Sequence, residues 1–235
     1  QKSRDLKIVQ RSQPSYFEKF GIKVFDLRFQ NKVDEDKLYE KSESYIKYIR
    51  RGNSIMRLPE KNGLVEYAFL RKGLNKFFDY RPTYSQVYSK LQNRVIGKII
   101  NNFKVSESAK PVVVYETYKA NGENFQVSYV KEFDSWAVCS KQVTLLAHSI
   151  DDIKEMNGID QFTFCVYFVQ LWFQTLKELF GDNKDKLDEF KQRVTGFTLV
   201  GESVGDPNHQ HIKIYSKAEF LFYAIVDNDS QETPC

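Results

Sequence analysis

The hydrophobic and polar positions of this chain follow two periods, one of two residues and one of three to four. Alternation with a period of two, rich in β-branched and aromatic residues, predicts strands. Such segments are found at residues 22–29, 64–69, 111–118, 124–130, 135–146, 197–202, 211–215 and 219–227. Helical spacing is found at residues 34–50, 84–102, 160–180 and 187–194. Strands and helices are interspersed without an internal repeat, so the pattern predicts an α+β fold.

The chain is long enough to bury a substantial core. It has 235 residues, of which 41% are hydrophobic, and this length fits one large domain better than two. Its 19 Phe and 14 Tyr favour broad sheet faces over a Leu-rich helical bundle. We therefore expect a single globular α+β unit.

Charge and cysteine content exclude several classes of protein. The net charge of +4 excludes a histone-like polycation, although a basic face could still bind phosphate. Cys139, Cys165 and Cys235 are too few and too widely spaced for a disulfide framework or a metal knuckle, which indicates a reducing, intracellular compartment. No apolar run reaches the roughly 18 residues that span a bilayer. We expect a soluble protein with no membrane partner.

Residues 119–123, Lys-Ala-Asn-Gly-Glu, lie between two predicted strands. Asn121-Gly122 predicts a hairpin turn, because both residues tolerate positive φ. A lysine at a strand end can attack a phosphate if its pKa falls from about 10.4, which nearby cations or a metal achieve. The glycine would let the backbone pass close beneath a nucleotide, since it has no Cβ. An ordinary exposed lysine beside a hairpin turn is the alternative for Lys119.

Three features downstream of this lysine could complete a nucleotide site. Ser140-Lys141 ends a strand, and Glu202 ends an apolar strand. Phe222 and Tyr223 lie in an aromatic-rich strand. A carboxylate can accept hydrogen bonds from two sugar hydroxyls, and an aromatic ring can stack on a base. Each residue also has an ordinary alternative role, as a solvated cation, an edge-strand carboxylate or a core ring.

The order of these features resembles that in the covalent nucleotidyltransferases, which include ATP-dependent RNA and DNA ligases and mRNA capping enzymes. Residues 119–122 are similar to their KxDG/KxNG motif. The resemblance is closest to bacteriophage-type RNA ligases and their eukaryotic relatives. It implies an antiparallel β-sheet nucleotidyltransferase core, the ligase adenylation domain, with flanking helices. It also implies that Lys119 takes AMP from ATP and that Asn121 and Gly122 hold it in line with the leaving pyrophosphate.

The resemblance extends to the three downstream features. Ser140-Lys141 resembles motif Ia, whose basic residue contacts ribose or phosphate. Glu202 resembles the glutamate of motif III, which binds the sugar hydroxyls. Phe222 resembles the aromatic residue of motif IIIa, which stacks on adenine, although Tyr223 could serve instead. These residues would form the walls of an ATP site.

Upstream residues also resemble family elements. Lys76-Phe77-Phe78 is similar to the K-F-F element of phage-type RNA ligases, and Arg51-Gly52 is similar to their Arg-Gly element. The resemblance implies that Lys76 and Arg51 reach the β- and γ-phosphates. Glu116 would meet either the adenine edge or a cation on a neighbouring strand.

The sequence leaves more than one role open for Glu123 and for the pair His209 and His211. Glu123 is either a turn carboxylate or a ligand of a magnesium-bound water. His209 and His211 point the same way on a predicted strand, but no third ligand is identifiable, so we expect substrate contact or surface placement and no zinc.

The resemblance implies an ATP-dependent RNA ligase used in RNA repair, acting with Mg²⁺. Lysyl-AMP would form at Lys119, and AMP would pass to an RNA 5′-phosphate for sealing to a 3′-hydroxyl. We expect an N-terminal extension over 1–60 and the adenylation core over 61–235. Motif IV (Glu-Gly) and motif V (Lys-x-Lys on a strand) are expected beyond Cys235 or have been lost. In the second case the alternative is an inactive domain that serves as a structural or RNA-binding subunit of a larger assembly.

Overall fold

The computed structural model describes residues 5–30, 34–75, 119–208 and 212–229. These residues form an α+β structure with two antiparallel sheets and a few helices. The expected fold class is thereby confirmed at this level. Predicted elements at 84–102 and 111–118 lie outside the described residues.

The first sheet has four antiparallel strands in chain order. They are β1 (Leu6–Arg11), β2 (Lys23–Phe29), β3 (Asn53–Arg57) and β4 (Tyr67–Lys72). A 3-10 helix over Ser15–Phe20 connects β1 to β2. The expected boundary at residue 60 falls between β3 and β4, which are hydrogen-bonded neighbours. Residues on both sides of it therefore belong to one sheet.

Two short helices connect β2 to β3, as the helical spacing of residues 34–50 predicted. They are α1 (Glu35–Lys41) and α2 (Glu43–Tyr48). The hydroxyl of Ser42 caps α2 by accepting a hydrogen bond from the Tyr45 amide at 3.3 Å. Phe29, Tyr39 and Ile49 form a small buried cluster here, which attaches the helical segment to the end of β2.

The second sheet has five antiparallel strands in the order β7-β6-β5-β8-β9. They are β5 (Glu123–Val130), β6 (Ser135–Cys139), β7 (Thr144–Ala147), β8 (Phe197–Val204) and β9 (Glu219–Asp227). Residues 135–146 were expected to form one strand and form two, because the chain reverses where the Ser140 amide donates to the Val143 carbonyl. The neighbours of β5 are β6 and β8, and residues 111–118, which were expected to pair with it, lie outside the described residues.

Two helices, α3 (Thr163–Phe180) and α4 (Lys184–Val194), connect β7 to β8. Both agree with the predicted spacing. The main core lies between α3 and the second sheet, where Phe125, Trp136 and Trp172 are at most 2% exposed. None of the helices in the described residues is long and apolar enough to cross a membrane.

The opposite face of the second sheet packs on the first sheet. Apolar residues form this second core, among them Phe17, Met56, Leu70 and Leu146. A polar contact continues the interface, because the Lys72 amide donates to both Thr198 Oγ1 and Asn228 Oδ1 at 3.1 Å. The interface between the two sheets therefore has an apolar part and a polar part.

Asp26 is the centre of a buried polar cluster between the sheets. Its carboxylate accepts hydrogen bonds from Arg11 Nε at 2.5 Å, Ser54 Oγ at 2.6 Å and Thr144 Oγ1 at 2.7 Å. Arg71 Nη2 lies 3.7 Å from the same carboxylate. Two arginines thus share one acidic partner, at a position that joins β1, β2 and β4 to β7.

Candidate functional site

Lys119 is exposed and lies shortly before β5. Residues 212–215 hold the segment that follows it: the Asn121 amide donates to Tyr215 Oη at 3.2 Å, and Asn121 Oδ1 accepts from the Lys213 amide at 3.1 Å. The strand expected at 211–215 is wrong for residues 212–215, of which 212 and 213 form a bend and 214 and 215 have no regular secondary structure. They bind Asn121 instead of a neighbouring strand.

The expected Asn-Gly hairpin turn is also wrong. Neither Asn121 nor Gly122 has a positive φ, which such a turn needs at both positions. Glycine is required at 122 for a different reason, because a Cβ there would lie 2.1 Å from the Ser203 carbonyl oxygen of β8. Gly122 therefore brings the chain close to β8 just after the lysine.

Gly122→Ala should lower the free energy of unfolding by about 1–3 kcal/mol, the typical cost of an overpacked contact. The new methyl group would meet the backbone of Ser203, which cannot rotate away as a flexible side chain can. Urea titration of the wild type and the variant measures the difference. Equal midpoints would show that β5 and β8 can separate here without cost.

Strands β5, β8 and β9 bring distant polar residues together. In the sheet register Asn124 lies opposite Glu202, and Glu202 lies opposite Leu221. The Asn124 amide donates to Tyr223 Oη at 3.5 Å. Burial and then the charge of Glu202 raise the pKa of Tyr223, whereas Asn124 and the charge of Arg51 act in the opposite sense. Arg51, Asn124, Glu202 and Tyr223, here called the Tyr223 cluster, are thus close in space.

A β-bulge decides which aromatic residue of β9 joins this cluster. Val200 pairs with Ala224 and Gly201 pairs with Phe222, which leaves Tyr223 as the extra residue on β9. A bulge redirects a side chain in this way. The Phe222 ring lies against Phe125 of the main core, with centroids 5.8 Å apart, and 42% of Phe222 is exposed. Of the two candidate stacking rings, Tyr223 is the one that contacts Asn124, and the expectation for Phe222 stays a prediction.

Two buried side chains missed by the sequence analysis support the Tyr223 cluster from below. Gln126 Nε2 donates to the Arg51 carbonyl and to Asn124 Oδ1, both at 2.9 Å. Arg71 Nη1 donates to Gln126 Oε1 at 3.3 Å and to the Ser140 carbonyl at 2.5 Å. Gln126 is 1% exposed and Arg71 is 0% exposed. Alternation with Phe125 and Val127 assigns Gln126 to the outer face of β5, so no pattern in the sequence marked it as buried.

Ser140 and Lys141 lie in the reversal between β6 and β7, towards the other edge of the second sheet. Lys141 Nζ forms an ion pair with Glu35 Oε2 of α1 at 3.2 Å. Lys141 lines a small cavity there together with Arg51. Arg51 is therefore the residue that connects this region with the Tyr223 cluster.

The remaining expected site residues lie outside the described residues. These are Lys76, Glu116, His209 and His211. Among the residues that the structure does describe, no group of three or more His, Cys, Asp or Glu could hold a metal ion. Glu123 begins β5 and lies opposite Ser203.

Comparisons of the chain with protein-family models, with curated proteins and with solved structures find no match in any of the three. The function therefore has to be argued from the site itself.

Proposed function

We propose that the protein is an ATP-dependent adenylyltransferase of the RNA-ligase type, in which Lys119 is the nucleophile. The observation that carries the proposal is the Tyr223 cluster. It unites a cation, an amide, a carboxylate and an aromatic ring from residues 51, 124, 202 and 223, which the chain separates widely. Three of these residues lie on the adjacent strands β5, β8 and β9 that follow the lysine.

Each group in the cluster suits one part of ATP. The Glu202 carboxylate can accept hydrogen bonds from the ribose hydroxyls. The Tyr223 ring, 53% exposed and beside Asn124, can stack on adenine. The Arg51 guanidinium can bind phosphate oxygens as a charged, multidentate donor. Gln126 positions both Asn124 and the Arg51 backbone.

In the proposed reaction the neutral amine of Lys119 attacks the α-phosphorus of ATP. The bond from phosphorus to nitrogen forms, the bond to the bridging oxygen breaks, and the pyrophosphate leaves with its electron pair. The amine gives up its proton in the same step. Magnesium would arrive with ATP and neutralise charge on the phosphates. The AMP then passes to an RNA 5′-phosphate, and a 3′-hydroxyl displaces it.

The deciding experiment is incubation of the full-length protein with Mg²⁺ and ATP labelled at the α- or the γ-phosphate. The proposal requires that the α-label stays on the denatured protein and that the γ-label does not, because the γ-phosphate leaves with pyrophosphate. Added pyrophosphate should remove the label by reversing the reaction. A full-length protein that takes up neither label would support the alternative, an inactive domain with a structural or RNA-binding role.

Tyr223→Ala should weaken ATP binding by about 5- to 150-fold, because base stacking on an aromatic ring is worth about 1–3 kcal/mol. Tyr223→Phe should keep most of the affinity, since the ring remains. Phe222→Ala is the matched control, which we expect to lower the unfolding temperature and leave ATP affinity unchanged. Calorimetric titration of each change in a Lys119→Ala background separates binding from reaction. If Phe222→Ala loses ATP affinity and Tyr223→Ala does not, the stacking ring is Phe222 and not Tyr223.

A further inference from the structure

A small cavity of about 20 Å³ lies where the end of β2, α1, the start of β3 and the β6–β7 reversal meet. Four cationic residues line it, namely Arg28, Arg50, Arg51 and Lys141. Glu35 is the acidic residue in the same lining, and it already pairs with Lys141 at 3.2 Å. The cavity wall thus carries a clear excess of positive charge.

Arg50 is the most informative of these residues. It is 6% exposed, and its Nη1 has no hydrogen-bond partner within the described ranges. Burial lowers its pKa, and its charge in turn helps to lower the pKa of nearby Lys72, where burial is the larger cause. A buried cation without a partner is costly, and an added cation nearby increases the cost. An anion in the cavity would offset both.

Arg28 gives a second, separate indication. Its Nη1 donates to Gln142 Oε1 at 3.0 Å, which fixes the guanidinium beside the cavity. Its Nε is buried and lacks a hydrogen-bond partner among the described residues. Two arginines, one on β2 and one shortly before β3, therefore each keep one donor unused next to the same small space. Guanidinium donors match phosphate oxygens in geometry and charge.

The size of the cavity limits what can enter. A volume of about 20 Å³ accommodates a group of one or two water-sized atoms and not a base or a sugar. A phosphate group could insert one or two of its terminal oxygens while the rest of the group stays at the surface. We propose that this cavity is a phosphate-group site in which Arg28 and Arg50 are ligands. The phosphate could belong to the tail of a nucleotide triphosphate or to the end of an RNA strand.

Binding is tested on the full-length protein carrying Lys119→Ala, so that the result does not depend on adenylyl transfer. The probes are inorganic phosphate, ATP, and one RNA oligonucleotide with either a 5′-phosphate or a 5′-hydroxyl. Calorimetry should show phosphate binding that Arg50→Met and Arg28→Gln each weaken about tenfold or more. Arg193→Gln is the matched control, because it removes the same charge from an exposed arginine of α4 paired with Glu189.

Competition assigns the source of the phosphate. Displacement of inorganic phosphate by ATP identifies the triphosphate tail, and displacement by the 5′-phosphorylated RNA but not its 5′-hydroxyl form identifies an RNA end. Arg50→Met should unfold at an equal or higher temperature without phosphate, because it removes a buried charge. Arg28→Gln, at a partly exposed position, provides a second test if Arg50→Met does not fold. Absence of phosphate binding, or equal weakening in Arg193→Gln, would overturn the proposal.

Discussion

Lys119→Ala should lower the rate of labelling by α-labelled ATP at least about 10³-fold, because removal of a covalent nucleophile leaves no group that can form the intermediate. Lys119→Arg should lose labelling to the same degree, since a guanidinium stays protonated and cannot attack. Time courses on denaturing gels, at equal protein and saturating ATP, measure the rates.

The control for these variants is Lys154→Ala. Lys154 lies in a 3-10 helix and pairs with Asp151 at the surface, with 72% of its side chain exposed. Its removal deletes the same charge and the same kind of amine. Unchanged labelling in Lys154→Ala and none in Lys119→Ala would assign the nucleophile. Persistent labelling of Lys119→Ala would mean that the residues 119–123 resemble the family motif without its chemistry.

Individual elements could be predicted from the sequence because periodicity is a local property. β5 and α3 each bury one face against a shared core, so their apolar residues recur with the period of the element itself. The same holds for β9, although its bulge interrupts the alternation. Prediction therefore succeeded for segments whose apolar residues recur on the face that packs against the core.

The pairing of strands could not be predicted in the same way. β5 pairs with β6, which follows it closely, and also with β8, which follows two helices. The alternation of β5 does not indicate whether its partner strands precede it or follow it in the chain. Residues 212–215 likewise alternate in sequence, yet they bind Asn121 through backbone and phenol groups. Long-range pairing is decided by the packed structure.

The candidate site shows the same limit at the level of single residues. Phe222 and Tyr223 are adjacent in the chain. The sequence alone does not show which of the two rings faces the candidate site. The bulge opposite Val200 and Gly201 adds one residue to β9 and places Tyr223 beside Asn124. Arg71 is a further case, because no pattern in the sequence marks this cation as buried. In the structure it is fully buried and supports two parts of the site.

Asp26→Ala should lower the free energy of unfolding by about 3–5 kcal/mol, the usual cost of removing one partner from a buried ion pair. Asp26 is 1% exposed and accepts hydrogen bonds from Arg11, Ser54 and Thr144. Its removal would leave Arg11 and Arg71, 5% and 0% exposed, without their shared acidic partner. Urea titrations that follow the intrinsic fluorescence measure the change.

Asp151→Ala is the matched control for this prediction. Asp151 also pairs with a cation, at 2.7 Å from Lys154, but 81% of its side chain is exposed. A surface pair of this kind contributes less than about 1 kcal/mol. Equal costs for Asp26→Ala and Asp151→Ala would mean that water enters the interface and solvates the two arginines. Because Arg71 also holds Gln126 and the Ser140 carbonyl, Asp26→Ala should weaken ATP binding as well, whereas Asp151→Ala should not.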